Sequence, residues 1–156
     1  MQQTAREMIQ EIKCRRDISI EQLEYLLTTE NKDCLEMLRE EAAQTAQKIY
    51  GNQVFIRGLI EFTNYCKNDC YYCGIRRSNH CADRYRLTKE EILSCTDTGY
   101  ELGFRTFVLQ GGEDPYFTDE RICELVSEIR QKHPDCAITL SIGEKSKESY
   151  QRYFDA

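Results

Sequence analysis

Apolar residues recur at helical spacing through the first fifty positions of the chain. Met8, Ile9 and Ile12 share one face of a segment over residues 3–13. Ser19 followed by Gln22 has the form of a capping box and predicts a short helix through Leu27. Leu35, Leu38, Ala42, Ala46 and Ile49 make one stripe of a longer helix over residues 33–50, with Gly51 placed to stop it.

From residue 53 the pattern changes. Val54-Phe55-Ile56-Arg57-Gly58-Leu59-Ile60-Glu61-Phe62 is mostly apolar and β-rich, the pattern of a strand covered on both faces. A polar loop bearing cysteines follows to about Arg86. Thr88 and Glu91 form a second capping box, and Ile92, Leu93, Cys95 and Leu102 mark its helix as far as Gly103. Next come a strand over 105–110, a Gly-Gly-Glu-Asp-Pro loop, and a helix over 118–132 with Ile122, Leu125, Val126 and Ile129 inward. Pro134 separates that helix from a strand over 136–142, and a further helix begins near Ser146.

Strand–helix alternation repeated three times implies parallel strands joined by right-handed crossovers. The architecture is then an open doubly wound sheet or a (β/α) barrel, and both place ligands at the carboxyl ends of the strands. The cysteine loop, residues 111–114 and residues 143–144 are therefore expected at one site. The expected organisation is a helical segment over 1–52 and an α/β core over 53–156. The last residues sit inside a helical pattern, whereas a complete barrel takes about 200 residues or more. Three βα units are too few for one, so an N-terminal fragment or a truncated gene product is expected.

Composition narrows the class. The 156 residues are 40% hydrophobic and 31% charged with a net charge of −6, which speaks for a globular chain and against nucleic acid or anionic membrane as partner. No apolar run approaches the ~20 residues that span a bilayer. The first residues reach charge at once and contain no apolar h-region, so no secretory signal is expected. Nine cysteines without an export signal, and odd in number, point to a reducing cytoplasm rather than a disulfide scaffold.

Three of those cysteines carry the chemistry. Cys66-Lys67-Asn68-Asp69-Cys70-Tyr71-Tyr72-Cys73 is C-x3-C-x2-C, with three thiols close enough in sequence to converge on one inorganic centre. Iron–sulfur clusters with full protein ligation use four ligands, so three leave one iron open to a small molecule. A structural zinc site completed by His80 or Cys81 is the rival reading. The placement after a strand and before further βα units disfavours it. Cys14, Cys34, Cys95, Cys123 and Cys136 are expected to pack as small apolar side chains, while Cys81 stays unassigned.

Two later segments add candidates. Gly111 and Gly112 permit close backbone approach to a ligand, and the Glu113 carboxylate can accept from an ammonium; a plain glycine turn is the alternative. Thr139 and Ser141 share a strand face by the period-2 rule. They line a cavity if that face is a barrel interior, and otherwise pack with hydroxyls bonded to backbone.

The cysteine spacing, with the aromatic Tyr72 immediately before the third cysteine, resembles the radical S-adenosylmethionine (SAM) superfamily. That resemblance implies a [4Fe–4S] cluster on Cys66, Cys70 and Cys73 and an open iron chelated by SAM. One-electron reduction would then cleave SAM to a 5′-deoxyadenosyl radical. Gly111-Gly112-Glu113 resembles the element with which the superfamily binds the SAM amino group.

Further segments are similar to the HydE family of [FeFe]-hydrogenase maturases, near biotin synthase and methylornithine synthase. They are Ile56-Arg57 leading into Ile60-Glu61-Phe62, Cys73-Gly74-Ile75-Arg76-Arg77-Ser78-Asn79, Arg84-Tyr85-Arg86-Leu87-Thr88, Leu109-Gln110-Gly111-Gly112-Glu113-Asp114-Pro115-Tyr116 and Thr139-Leu140-Ser141-Ile142-Gly143-Glu144. The resemblance implies the first three βα units of a TIM-type barrel and work on a small-molecule or iron-complex substrate for the hydrogenase diiron subcluster, with Ser141 as a substrate contact and Thr139 a candidate contact beside it on the same strand face. It also implies an electron donor such as ferredoxin or flavodoxin, other maturation proteins, and an anaerobic cytoplasm. A biotin synthase-like or methylornithine synthase-like enzyme is the same-chemistry alternative, and a non-catalytic zinc module the different-class one. Without the later barrel strands, poor cluster loading, no turnover, and aggregation through an unpaired strand edge are expected.

Overall fold

The computed structural model describes residues 5–15 and 17–156. The first two residues of the helix expected over 3–13 lie outside the described residues. Helices α1 (Ala5–Arg15), α2 (Ile20–Thr28) and α3 (Lys32–Tyr50) belong to a compact unit reaching to Val54. A second unit, Phe55–Ala156, holds β1 (Gly58–Thr63), α4 (Lys89–Glu101), β2 (Thr106–Gly111), α5 (Asp119–Lys132), β3 (Ala137–Ser141) and α6 (Lys147–Asp155).

Local chemistry explains where the helices start. Both capping boxes form: Gln22 Oε1 accepts from the Ser19 N–H at 3.0 Å, and Glu91 Oε2 from the Thr88 N–H at 2.7 Å. Asn31, Thr118 and Ser146 cap α3, α5 and α6 with their side-chain oxygens. Gly51 ends α3 at φ +62°, a conformation that suits glycine.

The sheet is parallel in the order β1-β2-β3, with Ile60 beside Leu109 and Leu109 beside Leu140. Ile60, Phe62, Phe107 and Leu109 are buried and pack with Ile92, Ile122, Leu125 and Ile129 of α4 and α5. Burying that many branched and aromatic side chains at ~25 cal/mol per Å² is the main force holding this layer. The opposite face carries Leu59, Glu61, Gln110, Thr139 and Ser141, all exposed.

Several expectations change. The strand expected over 54–62 begins only at Gly58, because β2 offers its first partner there through Phe107. Val54, Phe55 and Ile56 lie outside it and are 86%, 67% and 67% exposed. Nor is β1 covered on both faces: Ile60 and Phe62 are buried while Leu59 and Glu61 are not. Cys34 and Cys136 are packed and Cys123 is half-buried, but Cys14 and Cys95 are exposed, Cys95 because it lines an open groove beside Leu59 and Phe107. The α3 stripe is also largely open, with Leu35 and Ile49 exposed. Among the described residues no helix is long and apolar enough to cross a membrane.

Candidate functional site

Parallel pairing puts the ends of β1, β2 and β3 at one edge of the sheet, so the three following loops meet there. Their meeting depends on glycine. A Cβ on Gly111 would lie 2.6 Å from Thr63 Cγ2 and 3.2 Å from Phe62 Cζ. A Cβ on Gly112 would collide with the Tyr65 carbonyl oxygen and come within 2.7 Å of Cys66 Cβ. The second loop can therefore lie directly beneath the start of the cysteine loop.

The cysteine loop has almost no regular structure and is held by polar contacts instead. The Cys73 N–H donates to the Cys70 carbonyl at 3.0 Å, which makes a tight turn between the last two cysteines. The Arg77 N–H donates to the Asn68 carbonyl at 2.8 Å, and the Ser78 N–H to Asp69 Oδ1 at 3.0 Å. Arg84 is the hub of the return. Its guanidinium donates to the carbonyls of Ile75, Arg76 and Asn79 at 2.9, 2.7 and 3.0 Å, and also to that of Asn64. A planar fork of five donors can collect several carbonyls in this way.

These contacts fix the loop's base. Cys66 and Cys73 are half-buried, Cys70 is exposed, and none of the three forms a disulfide. Among the described residues no three His, Cys, Asp or Glu side chains are close enough to hold a metal. The trio is thus near in sequence and on one loop, without being drawn together. His80 and Cys81 are exposed on the same loop and are no closer to forming a set with it. The donor chemistry, three soft thiols on a tethered polar loop, suits an iron–sulfur cluster that organises its own ligands.

Glu113 joins all three loops. Its Oε2 lies 2.9 Å from Lys67 Nζ, and its Oε1 accepts from Asn68 Nδ2 at 2.6 Å. Its backbone carbonyl accepts from the Lys67 N–H at 3.0 Å. Gly143, at φ +81°, backs directly onto the Glu113 side chain, where any Cβ would collide with Cγ. The Lys67 hydrogen bond, helped by Asn68 and the Glu144 N–H, outweighs partial burial and holds the Glu113 carboxyl below its ordinary range.

One residue further on, Asp114 is buried. Its carboxylate receives Arg86 on both oxygens, the Thr63 hydroxyl at 2.8 Å and the Tyr116 N–H at 3.1 Å. Burial pushes this carboxyl up, but the Arg86 and Thr63 hydrogen bonds prevail and hold it below its ordinary value. Arg86 in turn lies over the Tyr65 ring, 3.8 Å from its centroid.

Thr139 and Ser141 share the exposed face of β3, Thr139 in register with Val108 and Ser141 with Gln110. Because Gln110 is in turn beside Glu61, a polar row Glu61–Gln110–Ser141 crosses the sheet just below the three loops. Tyr72 stands 92% exposed beside Cys73. Sequence reasoning did not single out Lys67, Asn68, Arg84, Asp114 or Glu61 as individual site residues. An acidic residue directly after Gly-Gly-Glu was the visible signal for Asp114, since a buried carboxylate demands a partner.

No protein-family model matches the chain. The [FeFe] hydrogenase maturase subunit HydE of Thermotoga maritima is 38% identical over 153 residues, covering 98% of this chain and 43% of that protein. The 3-methylornithine synthase of Methanosarcina barkeri is 38% identical over 112 residues, covering 70% of this chain and 32% of its own length. The chain therefore spans less than half the length of these curated relatives. Among solved structures, methylornithine synthase (PylB) overlays 95% of the chain at TM-score 0.76 and 31% identity, covering 44% of its own. HydG, a maturase of the [FeFe]-hydrogenase, overlays 97% at TM-score 0.81 and 27% identity, covering 34% of its own. The helical segment and three βα units thus correspond to part of a TIM-type barrel of that kind. By sequence and by fold, the chain matches part of a radical SAM protein of the group that holds HydE and methylornithine synthase, over less than half the length of either.

Proposed function

We propose that this chain carries the cluster-binding and SAM-binding part of a HydE-type maturase acting in assembly of the [FeFe]-hydrogenase active site. The observation that carries the reading is the relation to Thermotoga HydE over 98% of the chain, against 70% for methylornithine synthase. In this reading Cys66, Cys70 and Cys73 hold a [4Fe–4S] cluster with one iron left for SAM. When bound, the reduced cluster would supply the one electron that breaks the SAM sulfonium C–S bond, with methionine as the other product beside a 5′-deoxyadenosyl radical.

The chain's own residues do the rest. Arg84 and Asp69 hold the loop that presents the thiols, while Gly111 and Gly112 let the next loop approach it closely. Glu113, ionised and fixed from behind by Gly143, takes the amino group of SAM. Tyr72 flanks the cofactor. Ser141 and Thr139, on the open face of the sheet, meet a small-molecule or iron-complex substrate. A ferredoxin or flavodoxin would deliver the electron, and other maturation proteins would exchange substrate and product in an anaerobic cytoplasm. Methylornithine synthase-like chemistry is the second reading, favoured by the 38% identity to that enzyme.

Anaerobic reconstitution tests the proposal. In the full-length protein about four irons and four sulfides per SAM-binding cluster are expected, with an EPR signal that changes on adding SAM. Cys70→Ala should take up little iron and form no 5′-deoxyadenosine. A colourless protein holding one tight zinc would overturn it in favour of a zinc module.

A further inference from the structure

Glu113 receives its principal donors from the C-x3-C segment itself. Lys67 Nζ lies 2.9 Å from one carboxylate oxygen, and Asn68 Nδ2 lies 2.6 Å from the other. The Lys67 ammonium is the same kind of group as the amino group of an amino acid. The Lys67 side chain is 59% exposed at the end of a flexible stem, whereas Glu113 is 18% exposed and pressed against Gly143. Of the two partners, the lysine is the one that can leave. Two ammonium groups crowded on one carboxylate also repel each other.

We infer that Lys67 is a resident counter-ion of Glu113 that gives way to the amino group of SAM, so that SAM entry releases one tether of the cysteine loop. This rests on Glu113 being the amino-group site. The exchange makes Lys67 a positioning residue that lowers SAM affinity while steadying the loop in SAM's absence. Linkage requires the effect to run both ways: weakening the Lys67–Glu113 pair tightens SAM, and SAM weakens the pair.

The test is the affinity of the anaerobically reconstituted full-length protein for SAM by calorimetry, normalised to bound iron, in four forms: wild type, Lys67→Met, Glu113→Gln and the double variant. Because the lysine end of the pair is open to solvent, Lys67→Met should bind SAM about two- to fivefold more tightly at low salt. The gain should fade as ionic strength rises. Glu113→Gln should bind weakly, and adding Lys67→Met to it should change nothing. Unchanged or weaker binding by Lys67→Met would overturn the exchange. So would a gain of equal size in the Glu113→Gln background, which would show only the loss of a nearby positive charge. Wild type that binds iron but no SAM would instead remove the underlying reading of Glu113.

Discussion

Arg86 and Asp114 form a bidentate ion pair, Nε to Oδ2 at 2.6 Å and one terminal nitrogen to Oδ1 at 2.9 Å, between residues 28 apart in sequence. The Asp114 side chain is 1% exposed and that of Arg86 is 35% exposed. The pair fastens the end of the cysteine loop to the Gly-Gly-Glu loop, with Thr63 at the tip of β1 as a third member. Removing the carboxylate would strand a half-buried guanidinium and a buried hydroxyl. Asp114→Ala should therefore cost about 2–4 kcal/mol, read from urea unfolding. A cost within experimental error of zero would mean the pair contributes no net stability.

The same pair sets a pH dependence. Asp114 has its folded-state pKa lowered by Arg86 and Thr63 against the upward push of burial. Its stabilisation is thus complete above the unfolded value of about 3.9 and is lost as pH falls through the lower folded value. The stability difference between wild type and Asp114→Asn should be constant from neutral pH down to about pH 5 and should shrink below about pH 4. A difference that grows on acidification would contradict this assignment.

Glycine substitutions should separate close approach from mere loop flexibility. Gly112→Ala drives a Cβ into the Tyr65 carbonyl and against Cys66, so backbone must move. It should cost about 1–3 kcal/mol and reduce iron uptake on reconstitution. Gly74, inside the cysteine loop, has nothing within 4 Å of the place a Cβ would take, and Gly74→Ala should retain both stability and iron. Equal behaviour of the two variants would show that the approach at Gly112 is not needed.

Arg84 should be irreplaceable by lysine despite equal charge. One ammonium cannot span carbonyls that the guanidinium fork gathers from Asn64, Ile75, Arg76 and Asn79. Arg84→Lys should cost about 1–2 kcal/mol. Amide hydrogen exchange should quicken at Cys73, Arg77 and Ser78, whose N–H groups lie in the loop's internal bonds. Unaltered exchange at those amides would assign the loop's order to something other than Arg84.

Much of this protein was legible because its signals are local. Ser19 with Gln22 and Thr88 with Glu91 bond within one helical turn, so sequence spacing alone determines them. Strand–helix alternation likewise dictated a parallel sheet and brought the three loops to one edge. The cysteine spacing and Gly-Gly-Glu indicated the kind of chemistry before any contact was known. Tertiary structure alone decided the rest. Where β1 begins depends on where β2 can pair with it, and which face is covered depends on α4 and α5. Lys67 against Glu113, Arg86 against Asp114 and Arg84 against four carbonyls join residues that no periodicity links. Such contacts arise only when folding has closed the intervening chain, because an ion pair or a hydrogen bond is set by distance in space and not by separation along the sequence.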